Sequence, residues 1–154
     1  EGYRKSVGGV PLKSDIGKRV NIRLTSAISY AEGETESVEM WLDGHIVEKN
    51  GTKYLRYTEE HESQSIKTTI KLAEDQSFIM RKGSVDMRLP LNVKQRETGH
   101  YTSEVGSLPL WVDTAHLHYT IETEQQSQFE TEYALHVGGQ LAGTYTLKLT
   151  FTEE

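Results

Sequence analysis

An all-β fold is predicted for this chain, as an antiparallel up-and-down barrel of about eight to ten strands. Two patterns lead to this prediction. Apolar and polar residues alternate through most of the sequence, and short turn-forming segments interrupt the alternation. Successive side chains of a strand point to opposite faces, so a period of two gives each strand one dry face and one wet face. No segment shows a convincing helical period or helix cap.

The alternation divides the sequence into about ten strands. The first apolar set is Val20, Ile22, Leu24 and Ile28, and the last is Tyr145, Leu147, Leu149 and Phe151. In order, the predicted strands cover roughly residues 19–30, 35–48, 52–59, 65–73, 77–82, 85–91, 99–105, 107–122, 128–137 and 141–152.

Turn residues justify the breaks between these strands. Asn50-Gly51 is a strong hairpin signal, because a type I′ turn needs positive φ at both central positions, and Gly138-Gly139 is similar. A parity shift between Val112 and Leu117 predicts a bulge near Thr114-Ala115. Closing the meander into a barrel removes its free edges. A β-sandwich is the alternative, but most connections are too short for Greek-key crossovers.

Composition limits the domain organisation and the function. Residues 1–18 are polar and aperiodic and are predicted to be an N-terminal arm, with one barrel domain over 19–154. The 17 Lys and Arg against 23 Asp and Glu give a net charge of -6, which does not favour nucleic acid. There are 0 cysteines and no apolar run long enough for a membrane span. A cytoplasmic location is expected; a removed leader stays open, because the sequence begins at Glu1.

Three blocks of residues resemble a known family. They are Tyr57 with Glu59-Glu60-His61 and Lys67-Thr68-Thr69-Ile70-Lys71; Arg81, Gly83, Val85 and Met87; and Tyr101, Gly106, Leu108, Leu110, Val112 and Thr114. In this order and spacing they are similar to the YwiB-like family of small bacterial proteins, over roughly residues 20–152. The resemblance implies a calycin-like, that is lipocalin-like, β-barrel, and it brings no known activity.

Two motifs that contain histidine could form a metal site or a catalytic site. His116, His118 and Glu122 have a spacing that could hold a metal on a strand. However, Leu117, Tyr119 and Ile121 take the apolar face, so both histidines are expected to face water. Glu60 and His61 could form a general base, which is the basis for a small hydrolase or isomerase as the least supported function. No metal, cofactor or catalytic residue is therefore expected.

Small-molecule binding inside the barrel is the preferred function. The predicted polar and aromatic contacts are Tyr57, Thr68, Arg81, Arg88 and Tyr101, and Glu59 or Glu60 is a plausible partner for an inward Arg81. The arginines would suit a small anionic or amphipathic ligand. Trp41 and Trp111 are expected in the core or at the barrel end. The alternative is a non-catalytic interaction module, or a homodimer, that uses the barrel surface.

Overall fold

Ten strands follow one another along the computed structural model, which describes residues 17–154 apart from the side chain of His61. The predicted N-terminal arm, except for its last two residues, lies outside the described residues. The strands are β1 (Lys18–Tyr30), β2 (Thr35–Lys49), β3 (Thr52–His61), β4 (Gln64–Leu72), β5 (Gln76–Lys82), β6 (Asp86–Asn92), β7 (Glu97–Ser103), β8 (Gly106–Ile121), β9 (Gln126–Val137) and β10 (Gln140–Glu153).

The sheet closes on itself. Each strand pairs antiparallel with its neighbours in sequence, and β1 pairs with β10 from Val20 opposite Glu153 to Tyr30 opposite Gly143. The prediction of an all-β, up-and-down antiparallel barrel is therefore confirmed, and the sandwich alternative is not adopted. The fold has no helix in residues 17–154, so none there is long and apolar enough to span a bilayer.

The predicted irregularities occur where the sequence placed them. Asn50 and Gly51 have φ of 52° and 82°, and Gly138 and Gly139 have φ of 61° and 81°, as type I′ hairpins require. The register between β8 and β9 shifts between Thr114 and His116, which is the predicted bulge. There the buried Thr131 hydroxyl donates to the His116 carbonyl over 2.8 Å and satisfies an acceptor at the bulge.

Apolar side chains fill the middle of the barrel. The largest fully buried ones are Phe129, Phe151, Ile22, Leu55, Ile70, Leu89, Leu91 and Leu149. They come from six strands, and each occupies the inward parity of its strand. This packed layer divides the interior, so the space that remains lies towards the two ends of the barrel.

The two tryptophans do not contribute to the core, and the expectation for them was wrong. Trp41 is 70% exposed and Trp111 is 40% exposed, because both occupy the outward parity of their strands. The guanidinium carbon of Arg96 lies 4.8 Å from the centroid of the Trp111 ring, which gives that aromatic ring a favourable contact at the surface.

The barrel wall has a seam between β2 and β3. Their ladder runs only from Gly44 opposite Tyr57 to Lys49 opposite Thr52, whereas residues 35–43 of β2 pair with β1 alone. Within residues 17–154, the first half of β2 therefore has a free edge on the side away from β1. A second interruption follows Arg88, where the β6–β7 ladder ends just before Pro90, a residue that has no N–H to donate.

Candidate functional site

A cavity of about 390 Å³ occupies one end of the barrel. This end carries the β1–β2, β3–β4, β5–β6, β7–β8 and β9–β10 turns. The lining is apolar on the β1, β2 and β10 side and polar on the β3 to β5 side. The cavity residues are Leu24, Ser26, Ile28, Val38, Met40, Tyr57, Glu59, Thr68, Ile79, Arg81, Met87, Tyr133, Tyr145, Thr146 and Leu147.

Three neighbouring strands bring the polar side chains together. Tyr57 of β3 lies opposite Thr68 of β4, and Thr68 lies opposite Arg81 of β5. All three occupy inward positions of one row across the sheet, so cross-strand pairing places their side chains side by side. Gly44 continues the row on β2. A Cβ atom there would lie 2.6 Å from the Arg56 carbonyl oxygen and 2.7 Å from Ile22 Cδ1, so the close packing requires glycine.

An ion pair lies at the polar side of the cavity. Arg81 Nη2 donates to Glu59 Oε1 over 3.1 Å, with the side chains 30% and 11% exposed. The structure thus gives Arg81 one of its two expected partners, Glu59. A guanidinium has five N–H donors, and this contact uses one nitrogen. The remaining donors can bind oxygen atoms of a ligand in the cavity.

Buried tyrosines also line the cavity. Burial raises the pKa of the Tyr57 and Tyr133 hydroxyls well above the ordinary value, chiefly because the phenolate would lose its hydration. The Tyr133 and Tyr145 rings stack with centroids 5.3 Å apart and planes 5° apart. Thr68 Oγ1 is buried and makes no hydrogen bond of normal geometry with the described residues, although its proximity slightly lowers the Tyr57 pKa. The site therefore offers neutral hydroxyls beside an ion pair.

The structure brings together three of the five predicted ligand contacts. Tyr57, Thr68 and Arg81 line the cavity. Tyr101 takes an inward position opposite the lining residue Met87 and packs against the core without lining the cavity. Arg88 does not belong to the site: it lies on the outer face, where its guanidinium carbon is 5.2 Å from the centroid of the Phe78 ring.

Sequence reasoning missed part of the cavity wall. Ser26, Val38 and Met40 line the cavity, but none was singled out as a contact. Their inward parity was readable from the alternation. What the sequence did not signal was the end of the β2–β3 ladder at Gly44, which leaves Val38 45% exposed at the rim.

The other chemical candidates lie outside the cavity. His116 and His118 stack on the outer face with ring centroids 5.4 Å apart. Glu60 is exposed on the outward parity of β3, and the His61 side chain is not among those described. Within residues 17–154, no three His, Cys, Asp or Glu side chains are grouped closely enough to hold a metal ion.

A larger concavity of about 690 Å³ lies at the opposite end of the barrel. It is lined by hairpin and strand-end residues that include Ile46, Lys53, Tyr119 and Ile121. Ile121 is among the exposed hydrophobic residues, and charged residues such as Glu48 and Glu124 border the concavity. Its lining includes the more exposed ion pair of Lys18 with Glu153, whose Nζ and Oε1 atoms lie 3.7 Å apart.

Fold and cavity together define a closed ten-stranded antiparallel barrel with a half-polar pocket at one mouth. Residues 22–149 match the family described as Domain of unknown function (DUF1934), and the chain belongs to that family. It is also similar to the "Uncharacterized beta-barrel protein YwiB" of Bacillus subtilis (strain 168). The two are 26% identical over 120 residues, which cover 78% of this chain and 84% of that protein.

A solved structure supports the fold. The crystal structure of the ywiB protein from Bacillus subtilis matches with a TM-score of 0.77 at 24% identity, covering 89% of this chain and 92% of that one. The predicted resemblance to the YwiB-like family is therefore confirmed. At this identity the likeness establishes the shared barrel.

Proposed function

We propose that this barrel binds a small amphipathic molecule in the cavity at the Arg81 end. The observation that supports this most strongly is the placement of Arg81, Glu59 and Thr68 beside an apolar wall in a cavity of about 390 Å³. Small-molecule sites combine mostly apolar linings with a few convergent polar groups, in volumes of roughly 300–1,000 Å³.

The polarity of the walls selects the ligand's orientation. Its apolar part lies against Leu24, Ile28 and Leu147, and its polar head lies against Arg81. The ion pair with Glu59 balances the charge of Arg81, so a singly charged or neutral head that accepts hydrogen bonds is favoured over a multiply charged one. A carboxylate on an apolar tail meets this requirement.

Native mass spectrometry of freshly purified protein tests for a carried ligand, followed by denaturing extraction to identify it. A second arm uses anilinonaphthalene sulfonate, an amphipathic anion, as a fluorescent probe. Ser26→Phe fills the cavity and Arg81→Met removes the cation, and each is expected to weaken probe binding about tenfold, equivalent to about 1.4 kcal/mol. Ile121→Glu, at the opposite mouth, is the control. If Ile121→Glu weakens binding as much as Ser26→Phe does, the proposed cavity is not the site.

A second candidate function is self-association through the free edge of β2. In the described part of the chain, residues 35–43 have no partner on the β3 side, and unpaired strand edges are templates for pairing with another chain. An antiparallel pairing centred on Met40 would set Glu39 beside Trp41 of the second copy, so no carboxylate faces another. Light scattering over a range of protein concentrations tests this. A dimer that Trp41→Lys dissociates supports it, and a monomer at every concentration refutes it.

A further inference from the structure

The outer face of β3 to β5 concentrates positively charged side chains. Arg56, Lys67 and Lys82 line a groove of about 620 Å³ on this wall, together with His45 and a single carboxylate, Asp43. The whole sequence has a net charge of -6, so this concentration of cations runs against the overall composition. We call the surface formed by His45, Arg56, Lys67 and Lys82 the outer cationic groove.

Strand register holds these cations close together. Lys67 lies directly opposite Lys82 in the β4–β5 ladder, and His45 lies directly opposite Arg56 in the β2–β3 ladder. Directly opposed side chains have Cβ atoms about 4.5–5.5 Å apart, and like charges in such positions destabilise a sheet. The Lys67 and Lys82 pair is therefore unfavourable for folding unless an anion lies between the two ammonium groups.

Among residues 17–154, no carboxylate lies within ion-pair distance of Arg56, Lys67 or Lys82. Asp86 is the register partner of Lys82 but makes no ion pair with it. Two other arginines of the outer wall are paired, Arg23 with Glu39 and Arg96 with Asp113. The cations of the groove thus remain available to a ligand.

We propose that the outer cationic groove is a second binding site, for a small molecule that carries a phosphate or diphosphate group. A guanidinium binds phosphate oxygens in a bidentate manner, and two lysine ammonium groups add point charges to the same anion. Thr58 and Thr69 supply hydroxyl donors, and Met80 gives an apolar floor for the remainder of the ligand. The site lies on the outer wall of the barrel, and Tyr57 and Thr68 contribute to the lining of both this groove and the interior cavity.

The groove is continuous with the seam in the wall. Its lining includes Gly44 and Tyr57, the last paired residues of the β2–β3 ladder, where the two strands begin to diverge. Concavity favours a compact ligand over a flat macromolecular surface.

Titration calorimetry with inorganic pyrophosphate as the probe tests the proposal. Lys67→Glu replaces a like-charge pair by an opposite-charge pair with Lys82, so the variant should fold at least as well as the parent, with an unchanged or higher urea midpoint. Its affinity for pyrophosphate is expected to fall by about tenfold or more, which corresponds to about 1.4 kcal/mol. Arg56→Gln should also weaken binding while changing the net charge by only one.

Lys148→Glu is the matched control. Lys148 is exposed on the outer face of β10, and its replacement changes the net charge by the same amount as Lys67→Glu. Pyrophosphate affinity that is retained in Lys148→Glu and lost in Lys67→Glu supports the site. Equal losses of pyrophosphate affinity in both variants would show that the net charge of the protein, and not the groove, controls binding. No saturation up to about 10 mM, or equal binding of a glutamate oligopeptide, would also overturn the proposal.

Discussion

Removing Arg81 should destabilise the protein more than neutralising its partner Glu59. Arg81→Met takes this cation from the Glu59 carboxylate, which is only 11% exposed, and a largely buried charge is costly to keep when part of its compensation is lost. Glu59→Gln leaves an arginine that is 30% exposed and can recruit water instead. The asymmetry follows from the different depths of the two groups.

The magnitudes follow from that exposure. Breaking a fully buried pair costs about 3–5 kcal/mol, so for this partly exposed pair Arg81→Met should cost about 2–3 kcal/mol and Glu59→Gln about 1 kcal/mol. Because the groups are in contact, the double variant should cost at least about 1 kcal/mol less than the sum. With a urea slope of about 1–3 kcal/mol per molar, Arg81→Met should lower the midpoint by roughly 1 M.

Urea unfolding followed by far-UV circular dichroism measures these changes. Fluorescence is the weaker probe, because Trp41 and Trp111 are both on the outer wall and change their environment less on unfolding. Strictly additive costs would show that the two side chains do not interact as the 3.1 Å contact implies. A larger cost for Glu59→Gln than for Arg81→Met would refute the reasoning from depth.

Other predictions concern the core, the tyrosines and the seam. Phe129→Ala should cost about 3–5 kcal/mol in urea unfolding, whereas Trp41→Ala on the outer wall should cost less than about 1 kcal/mol; similar costs would contradict the assigned faces. Burial raises the pKa of the Tyr57 and Tyr133 hydroxyls in the folded state above the value of 10.0 that applies to the unfolded chain. These groups therefore leave the free energy of unfolding unchanged below pH 10.0 and lower it as the pH rises above 10.0. Tyr133→Phe should make this alkaline loss shallower in unfolding curves measured at increasing pH, and an unchanged slope would contradict the burial of that hydroxyl. In β2, amide exchange by NMR should alternate between slow and fast along residues 36–42, because only the amides facing β1 have ladder partners, and uniform protection would show that the seam is closed.

Much of the fold was predictable because its rules are local. Asn50-Gly51 requires a tight hairpin wherever it occurs between two strands, and the parity shift before Leu117 requires an extra residue in the ladder. Tyr57 and Thr68, which were predicted as contacts of an interior pocket, do line the cavity. The aromatic character of Trp41 and Trp111 favours an interior position, but their outward parity places both side chains at the surface.

The site was less predictable, because it depends on which positions of different strands become neighbours. Tyr57, Thr68 and Arg81 form one row only because of the register of two ladders. Arg88 directly follows the inward residue Met87 on β6, so its side chain lies on the outer wall. The end of the β2–β3 ladder at Gly44 has no signal in the sequence of either strand.

The sequence by itself determined that this protein is a meander of alternating strands, since the period of two and the turn residues act within a few positions of the chain. Only the tertiary structure decided that Phe129 and Phe151 fill the middle of the barrel, leaving open space at its ends. It also decided that Lys67 and Lys82 face each other on the outside. The physical reason is that strand alternation is a local property, whereas packing density and charge proximity depend on the register between strands that are distant in sequence.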